Sequence, residues 1–306
     1  MRIGLFGGAT PGLDNSLDGF VDFCKDMESR GFDNVWMANV FGLDAVGACA
    51  IAGRETSSIQ LGTAVTPTYP RHPAALAQQV LTTNAACGGR FALGIGLSHQ
   101  LVIEGMYGMS YDKPAAHMKE YLQVIAPLLQ GEAADFEGEQ ITGKLKLDVP
   151  GGAPVPLIVA ALGPVMLKLA GRVADGTTTW MTGPKTLEEH IIPVISSAAK
   201  EAGRPSPRIV CGLPIALTTD VDAAREKIAR DLQVYGMLPS YRAMLDREGV
   251  EGPADLALVG DEATLRASIQ RLRDIGVTDF NAAVMPVADG VSAATMDLLQ
   301  SELGQA

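Results

Sequence analysis

The sequence predicts a (β/α)8 TIM barrel, and three observations carry that prediction. The chain has 306 residues, a length that suits one α/β barrel or two smaller domains rather than a minimal domain. Short apolar runs alternate with helical periods from end to end, in eight strand–helix steps, which fits a closed barrel better than an open doubly wound sheet. No internal repeat is strong enough to indicate a solenoid. The chain therefore reads as a single domain over 1–306, with insertions about 97–113, 131–153 and 236–258 at the carboxyl face of the strands.

The first strand is Ile3 to Phe6, and Leu17 to Arg30 is helical, with Leu17, Phe20, Val21, Phe23, Cys24 and Met27 as its apolar stripe. Gly31 stops that helix. Asn34 to Ala38 is the second strand, Leu43 to Gly53 a helix, and Ile59 to Val65 the third strand. Pro73 to Cys87 is helical, with Pro73 where a first-turn proline is tolerated. The fourth strand, Arg90 to Gly96, is a short apolar run bounded by glycines, as expected of a strand covered on both faces. Tyr107 to Lys113 is loop, Pro114 to Leu129 a helix, and Gly131 to Gly152 a small excursion outside the core. The second half resumes with strands at Pro156 to Ala161, Gly176 to Met181, Arg208 to Thr218 and Val277 to Val284. Its helices are Pro164 to Val173, Pro184 to Ala202, Asp222 to Tyr235, Asp261 to Ile275 and Val291 to Leu303, with a second excursion over Gly236 to Leu258.

Composition narrows the function. Apolar residues make up 47% of the chain, ample for a large core, and the net charge of -11 argues against a general nucleic-acid binder. No signal peptide is expected, since Met1-Arg2 runs straight into the strand-like IGLFGG, and no membrane span, since no apolar run approaches about 20 residues. Cys24, Cys49, Cys87 and Cys211 are scattered with no CxxC, as expected of reduced, packed thiols in a cytoplasmic protein without a metal site.

In a barrel the chemistry lies at the carboxyl ends of the strands. Those ends carry Asn39-Val40-Phe41, Ala64 to Tyr69, Leu97-Ser98-His99, Ala160 to Pro164, and Trp180-Met181-Thr182. Paired carboxylates, HExxH, GxSxG and P-loop patterns are absent, so glycosidase, metallohydrolase and serine-hydrolase chemistry have no support. A pocket so poor in reactive side chains points to a bound cofactor as the carrier of the chemistry. His99, directly after the glycine-bearing fourth strand, is the candidate proton donor or acceptor, against the plain alternative of a loop histidine without a duty. Gly163-Pro164 opens a helix whose free N–H groups suit a phosphate, although an ordinary strand-to-helix turn looks the same.

Three blocks add a resemblance. LGTAVTPTYPRHPAALAQQ (Leu61 to Gln79), GGRFALGIGLSH (Gly88 to His99) and PLIVAALGPVMLKLAGRVADGTTTW (Pro156 to Trp180) resemble the luciferase-like family of barrel oxidoreductases, and within it the branch that uses coenzyme F420. The resemblance covers nearly the whole chain. It implies a homodimer and hydride transfer between the deazaflavin and a small, mostly apolar substrate, with no nucleic acid or membrane as partner. The alternatives are an FMN-dependent monooxygenase of the same fold and a non-catalytic flavin- or deazaflavin-binding protein. The family's cis peptide after the third strand matches Ala64-Val65, and its phosphate-binding turn matches Ala160, Ala161, Leu162, Gly163 and Pro164. Thr63, Gly96, Ser98, His99, Asn39 and Trp180 complete the implied cofactor site, with His99 and Asn39 as the catalytic residues: His99 handles the proton, Asn39 positions the ring or substrate by hydrogen bonding, and Trp180 walls the pocket. A sugar-phosphate dehydrogenase of this family carries Asp-His where this chain has Asn39-Val40, and an active-site glutamate where it has His99. The basic residues that hold the sugar phosphate have no clear counterparts, so that substrate is not expected here.

Overall fold

Eight parallel strands close into a barrel in a computed structural model that describes residues 1–8 and 14–305. In chain order they are β1 (Arg2–Gly7), β2 (Asn34–Met37), β3 (Gln60–Thr63), β4 (Phe91–Gly96), β5 (Leu157–Ala160), β6 (Gly176–Trp180), β7 (Arg208–Leu217) and β8 (Asp279–Val284). Each pairs with the next, and β8 pairs with β1, Arg2 opposite Asp279, to complete the circle. Helices cover the outside, among them α1 (Leu17–Ser29), α2 (Ala45–Glu55), α3 (Pro73–Ala86), α4 (Gln100–Gly105), α5 (Pro114–Leu129) and α6 (Pro164–Val173).

Local chemistry sets the helix starts. Ser16 accepts a hydrogen bond from Gly19 N at 3.1 Å at the start of α1, and Asp44 accepts from Gly47 N at 2.8 Å at the start of α2. Asp261 does the same for the helix Glu262–Asp274 through Thr264 N at 2.9 Å. Outward residues of the strands, such as Leu5, Val35, Leu61, Leu93 and Val159, pack with the inner helix faces into one continuous core. Alternation along the strands sends the other set into the barrel.

The barrel interior is stacked from the bottom. Asp279, fully buried, pairs with Arg2 at 2.8 Å and Arg208 at 2.7 Å, and Gln60 joins both arginines. Above this plug Trp36, Ala92, Ile158 and Val210 form a dry layer, with the Arg208 guanidinium 5.5 Å from the Trp36 ring centroid. Gly62 makes room for that indole: a Cβ there would lie 2.7 Å from Trp36. The plug and the layer close the lower barrel and leave the upper end as the place for a site.

Several elements differ from their expected extents. The third strand stops at Thr63 and resumes at Thr66–Pro67, which pairs with Ile95 and Gly96 of β4; the break is the turn at Ala64-Val65. The helix expected over Pro184 to Ala202 starts as a short turn, widens to a π-helix at Leu187–Ile191 and is regular only from Ile192 to Glu201. Pro193 explains the widening, because it has no N–H and its ring displaces the carbonyl one turn back. The 97–113 insertion contains α4. The 131–153 segment is an antiparallel hairpin, Ala134–Glu137 with Thr142–Leu145, laid along α5. The 236–258 segment holds a helix, Pro239–Glu248, and leads to Leu258–Gly260, which adds to β7 outside the barrel.

Candidate active site

The cis peptide bond at Ala64-Val65 forms one wall of a pocket at the carboxyl end of the barrel. Glycine makes that wall possible. A Cβ on Gly94 would lie 1.9 Å from Thr63 O, and one on Gly96 would lie 2.6 Å from Val65 Cγ2, so the turn can press onto β4 only because both positions lack a side chain. Thr63 locks the contact from behind: its hydroxyl donates to Gly94 O at 2.7 Å and accepts from Gly94 N at 3.0 Å. Thr63 is completely buried and is not among the residues that line the pocket.

Of the residues singled out in the sequence, Ala64, Val65, Gly96, Ser98, His99, Ala160, Ala161, Leu162, Gly163 and Trp180 line this one pocket. Pro164 follows immediately as the first residue of α6, beyond the lining. Gly163 is the N-cap of that helix, with no side-chain cap, and a Cβ added to it would meet nothing within 4 Å. The first turn of α6 therefore presents its backbone N–H groups to the pocket rim. Asn39 is placed differently. Its Oδ1 accepts from Ala45 N at 3.0 Å, fixing the entry to α2, and it does not line the pocket.

The far side is aromatic. Phe6 stacks on Trp180 at 5.2 Å, Trp180 meets Tyr235 edge-on at 5.9 Å, Tyr235 meets Tyr241 at 5.2 Å, and Tyr241 leans on His99 at 5.8 Å. An unbroken arc of rings thus runs from the barrel floor to His99. Sequence reasoning passed over Phe6, Asn281, Tyr111, Tyr235 and Tyr241. Alternation along β1 and β8 could have found Phe6 and Asn281, since Arg2 and Asp279 share their parity. Nothing local marks Tyr235, on the helix Val221–Met237, or Tyr241, on the helix Pro239–Glu248; tertiary packing carries both in.

His99 is half-buried, its ring touches Tyr241, and its imidazole makes no hydrogen bond to any described residue, while its backbone carbonyl accepts from Val102 N and Ile103 N. Burial pushes its pKa below the usual value of 6.5, so the imidazole is neutral near pH 7. Ser98 takes a left-handed backbone conformation with φ 61°, and its carbonyl accepts from the Tyr111 hydroxyl at 3.1 Å, which fixes the approach to His99. Among the described residues, no Lys, Arg, Asp or Glu lines the pocket. It is lined by small residues on one side and rings on the other. Such a cavity accepts a planar, uncharged ring system and places one titratable group, His99, beside it.

Comparison with known proteins places this architecture. The model of the luciferase-like monooxygenase family matches residues 1–279. The chain belongs to the luciferase-like family. Among curated members, it is 34% identical over 290 residues to a 5,10-methylenetetrahydromethanopterin reductase of Methanolobus tindarius, covering 85% of this chain and 88% of that protein. It is 30% identical over 273 residues to an F420-dependent glucose-6-phosphate dehydrogenase of Nakamurella multipartita, with 82% and 77% covered. In fold, this luciferase-like barrel superposes with a TM-score of 0.80 and 23% identity on the coenzyme F420-dependent tetrahydromethanopterin reductase of Methanopyrus kandleri, over 98% of this chain and 97% of that one. An FMN-containing Baeyer–Villiger monooxygenase component from Pseudomonas putida superposes at 0.75 with 18% identity, over 98% and 96%.

Proposed function

We propose that this luciferase-like protein is an F420-dependent oxidoreductase that moves a hydride between the deazaflavin and a small, mostly apolar, neutral organic substrate. The observation that carries the reading is the pocket itself: a small-residue wall at Ala64-Val65, Gly96 and Ala160, with an uncapped helix start at Gly163 on its rim. The group fits by two features of this chain. The wall is built of small apolar residues that leave room for a planar ring, and an orphaned buried carbonyl, Asn281 Oδ1, waits on the floor. Both curated relatives described above align over most of the chain, and one is F420-dependent by name.

Ala64, Val65, Gly96 and Ala160 would hold the ring, and the N–H groups of the first turn of α6 would hold the phosphate of its tail. Bound F420 supplies hydride exchange at its ring carbon. The chain does the rest: the aromatic arc excludes water and orients the substrate, and His99 gives or takes the proton that accompanies the hydride. Asn39 drops out of this assignment, because its Oδ1 is committed to Ala45 N. A phosphorylated substrate does not suit a pocket lined by no cationic side chain among the described residues. We further propose a cytoplasmic homodimer; the four cysteines, all free and buried, accord with a reducing compartment.

Titration of the purified protein with oxidised F420 and, separately, with FMN tests this reading. Saturable quenching of F420 fluorescence at micromolar concentration, with weaker FMN uptake, is the expected result. Uptake of FMN alone moves the protein to the monooxygenase reading, and tight F420 binding without hydride transfer to any acceptor moves it to the binding-protein reading.

A further inference from the structure

The floor of the pocket carries a polar group without a protein partner. Asn281 is 1% exposed and lines the pocket beside Phe6 and Trp180. Its Oδ1 is buried without a hydrogen bond, and its carboxamide bonds to no described residue. The Thr179 hydroxyl and the Trp180 indole N–H, on two other residues of this lining, are also buried without a partner, whereas Asn84 and Asp279, elsewhere in the barrel, are answered. Asn84 uses both ends of its amide, donating to Ala153 O at 3.1 Å and accepting from Phe91 N at 3.1 Å. Asp279, two residues before Asn281 on the same face of β8, is held by Arg2 and Arg208. Asn281 has no such neighbour because the residues opposite it are glycines, Gly4 on β1 and Gly212 on β7. The space over Gly212 is taken by Trp180, whose ring a Cβ there would meet at 3.0 Å.

A buried carboxamide without a partner in the protein awaits one in the ligand. The amide offers an acceptor and two donors with no charge, and no cation or carboxylate lines the pocket around it. Its complement is a neutral edge in which N–H alternates with C=O. Resting on the function proposed above, we infer that Asn281 is the residue that reads the pyrimidinedione edge of the bound ring, an edge that deazaflavin and flavin share. The geometry is consistent with the other two anchors. The wall at Ala64-Val65 sets the plane of the ring, and the α6 start at Gly163 sets where the tail leaves. β8 lies across the barrel from β4, so the Asn281 carboxamide faces the ring from the side opposite Gly96.

The test uses the whole protein and the variants Asn281→Leu and Asn281→Asp. Dissociation constants are measured by fluorescence for F420 and for FMN, and thermal melting is measured on the ligand-free forms. Loss of one or two hydrogen bonds predicts a Kd about tenfold higher in Asn281→Leu for both ligands. Asn281→Asp weakens both at least as much, because a carboxylate repels the flanking carbonyls. Ligand-free Asn281→Leu should melt no lower than the parent, since no protein hydrogen bond is lost. Weaker F420 binding with FMN unchanged would assign Asn281 to the phenolic end of the deazaflavin and overturn the edge named here. Unchanged affinity for both, or a lowered melting point with affinity intact, overturns the proposal altogether. If the parent protein takes up neither ligand, the function it rests on has failed, which the parent titration alone shows.

Discussion

His99 is the residue on which the chemistry turns. It stands just past the end of β4 with its ring against Tyr241 and its imidazole free of hydrogen bonds to described residues, and burial lowers its pKa. His99→Ala should lower turnover by about 10²–10⁴-fold while F420 affinity changes little. A fall in affinity with turnover at saturation preserved would make it a binding residue instead. The pH profile carries a second expectation. Because burial disfavours the imidazolium, the limb that belongs to His99 should fall below 6.5. In the direction that needs a proton donor, kcat should rise as pH drops through that limb, and His99→Ala should remove it. The sequence made His99 legible because it follows a glycine-bearing buried strand. Asn39 enters the expected site through the family resemblance, as a group that positions the ring or substrate by hydrogen bonding. Its bond to Ala45 N spans six residues, and the N-cap of that helix is Asp44, so no local pattern marks where the Asn39 carboxamide goes.

Elements show a different division between what is legible and what is not. Strands and helices followed the apolar periods, and the Ala64-Val65 turn lies where the family blocks put it. The apolar period by itself does not show the break of the third strand at Thr63, because Ile59 to Val65 is apolar enough to run straight; only the resemblance marks the turn there. The break depends on Thr63 and Gly94 finding each other across 31 residues of sequence. At the start of α6, Gly163→Val should leave the barrel folded, as a Cβ there meets open space, and should raise the F420 Kd by about tenfold or more. Equal affinity in a folded variant would remove the phosphate from this turn. Between α1 and β3, Glu28 clamps a loop. Partial burial works against its charge, but the N–H groups of Ser58, Ile59 and Ser57 and the Ser58 hydroxyl outweigh it and bring its pKa down to about 2. The lowered pKa adds stability that is fully present above the unfolded value of about 4.3 and is lost as pH falls through about 2. Urea midpoints across that window should fall more steeply for the parent than for Glu28→Ala; parallel curves would deny the clamp its role.

The whole molecule is a closed barrel plugged below and open above. Composition and alternation announced the closure; the plug was not legible, because Arg2, Gln60, Arg208 and Asp279 are spread over the chain's full length and meet only when β8 pairs with β1. Asp279→Ala leaves two arginines facing each other without their shared carboxylate and should cost about 3–5 kcal/mol in unfolding free energy; a loss below about 1 kcal/mol would show that water takes its place. The pocket's second half was hidden for the same reason, since Tyr235 and Tyr241 reach Trp180 and His99 through tertiary packing. The proposed homodimer predicts twice the 32.1 kDa chain mass by light scattering at micromolar concentration, and a monomer mass there would refute it. The most direct test of the account is a crystal structure of the protein soaked with F420. It should show the ring lying on Ala64-Val65 with its pyrimidinedione edge at Asn281, and the phosphate at the N–H groups after Gly163. A deazaflavin bound elsewhere, such as the hollow lined by Tyr69, His117 and Tyr121, or a pocket left empty at saturating F420, would contradict it.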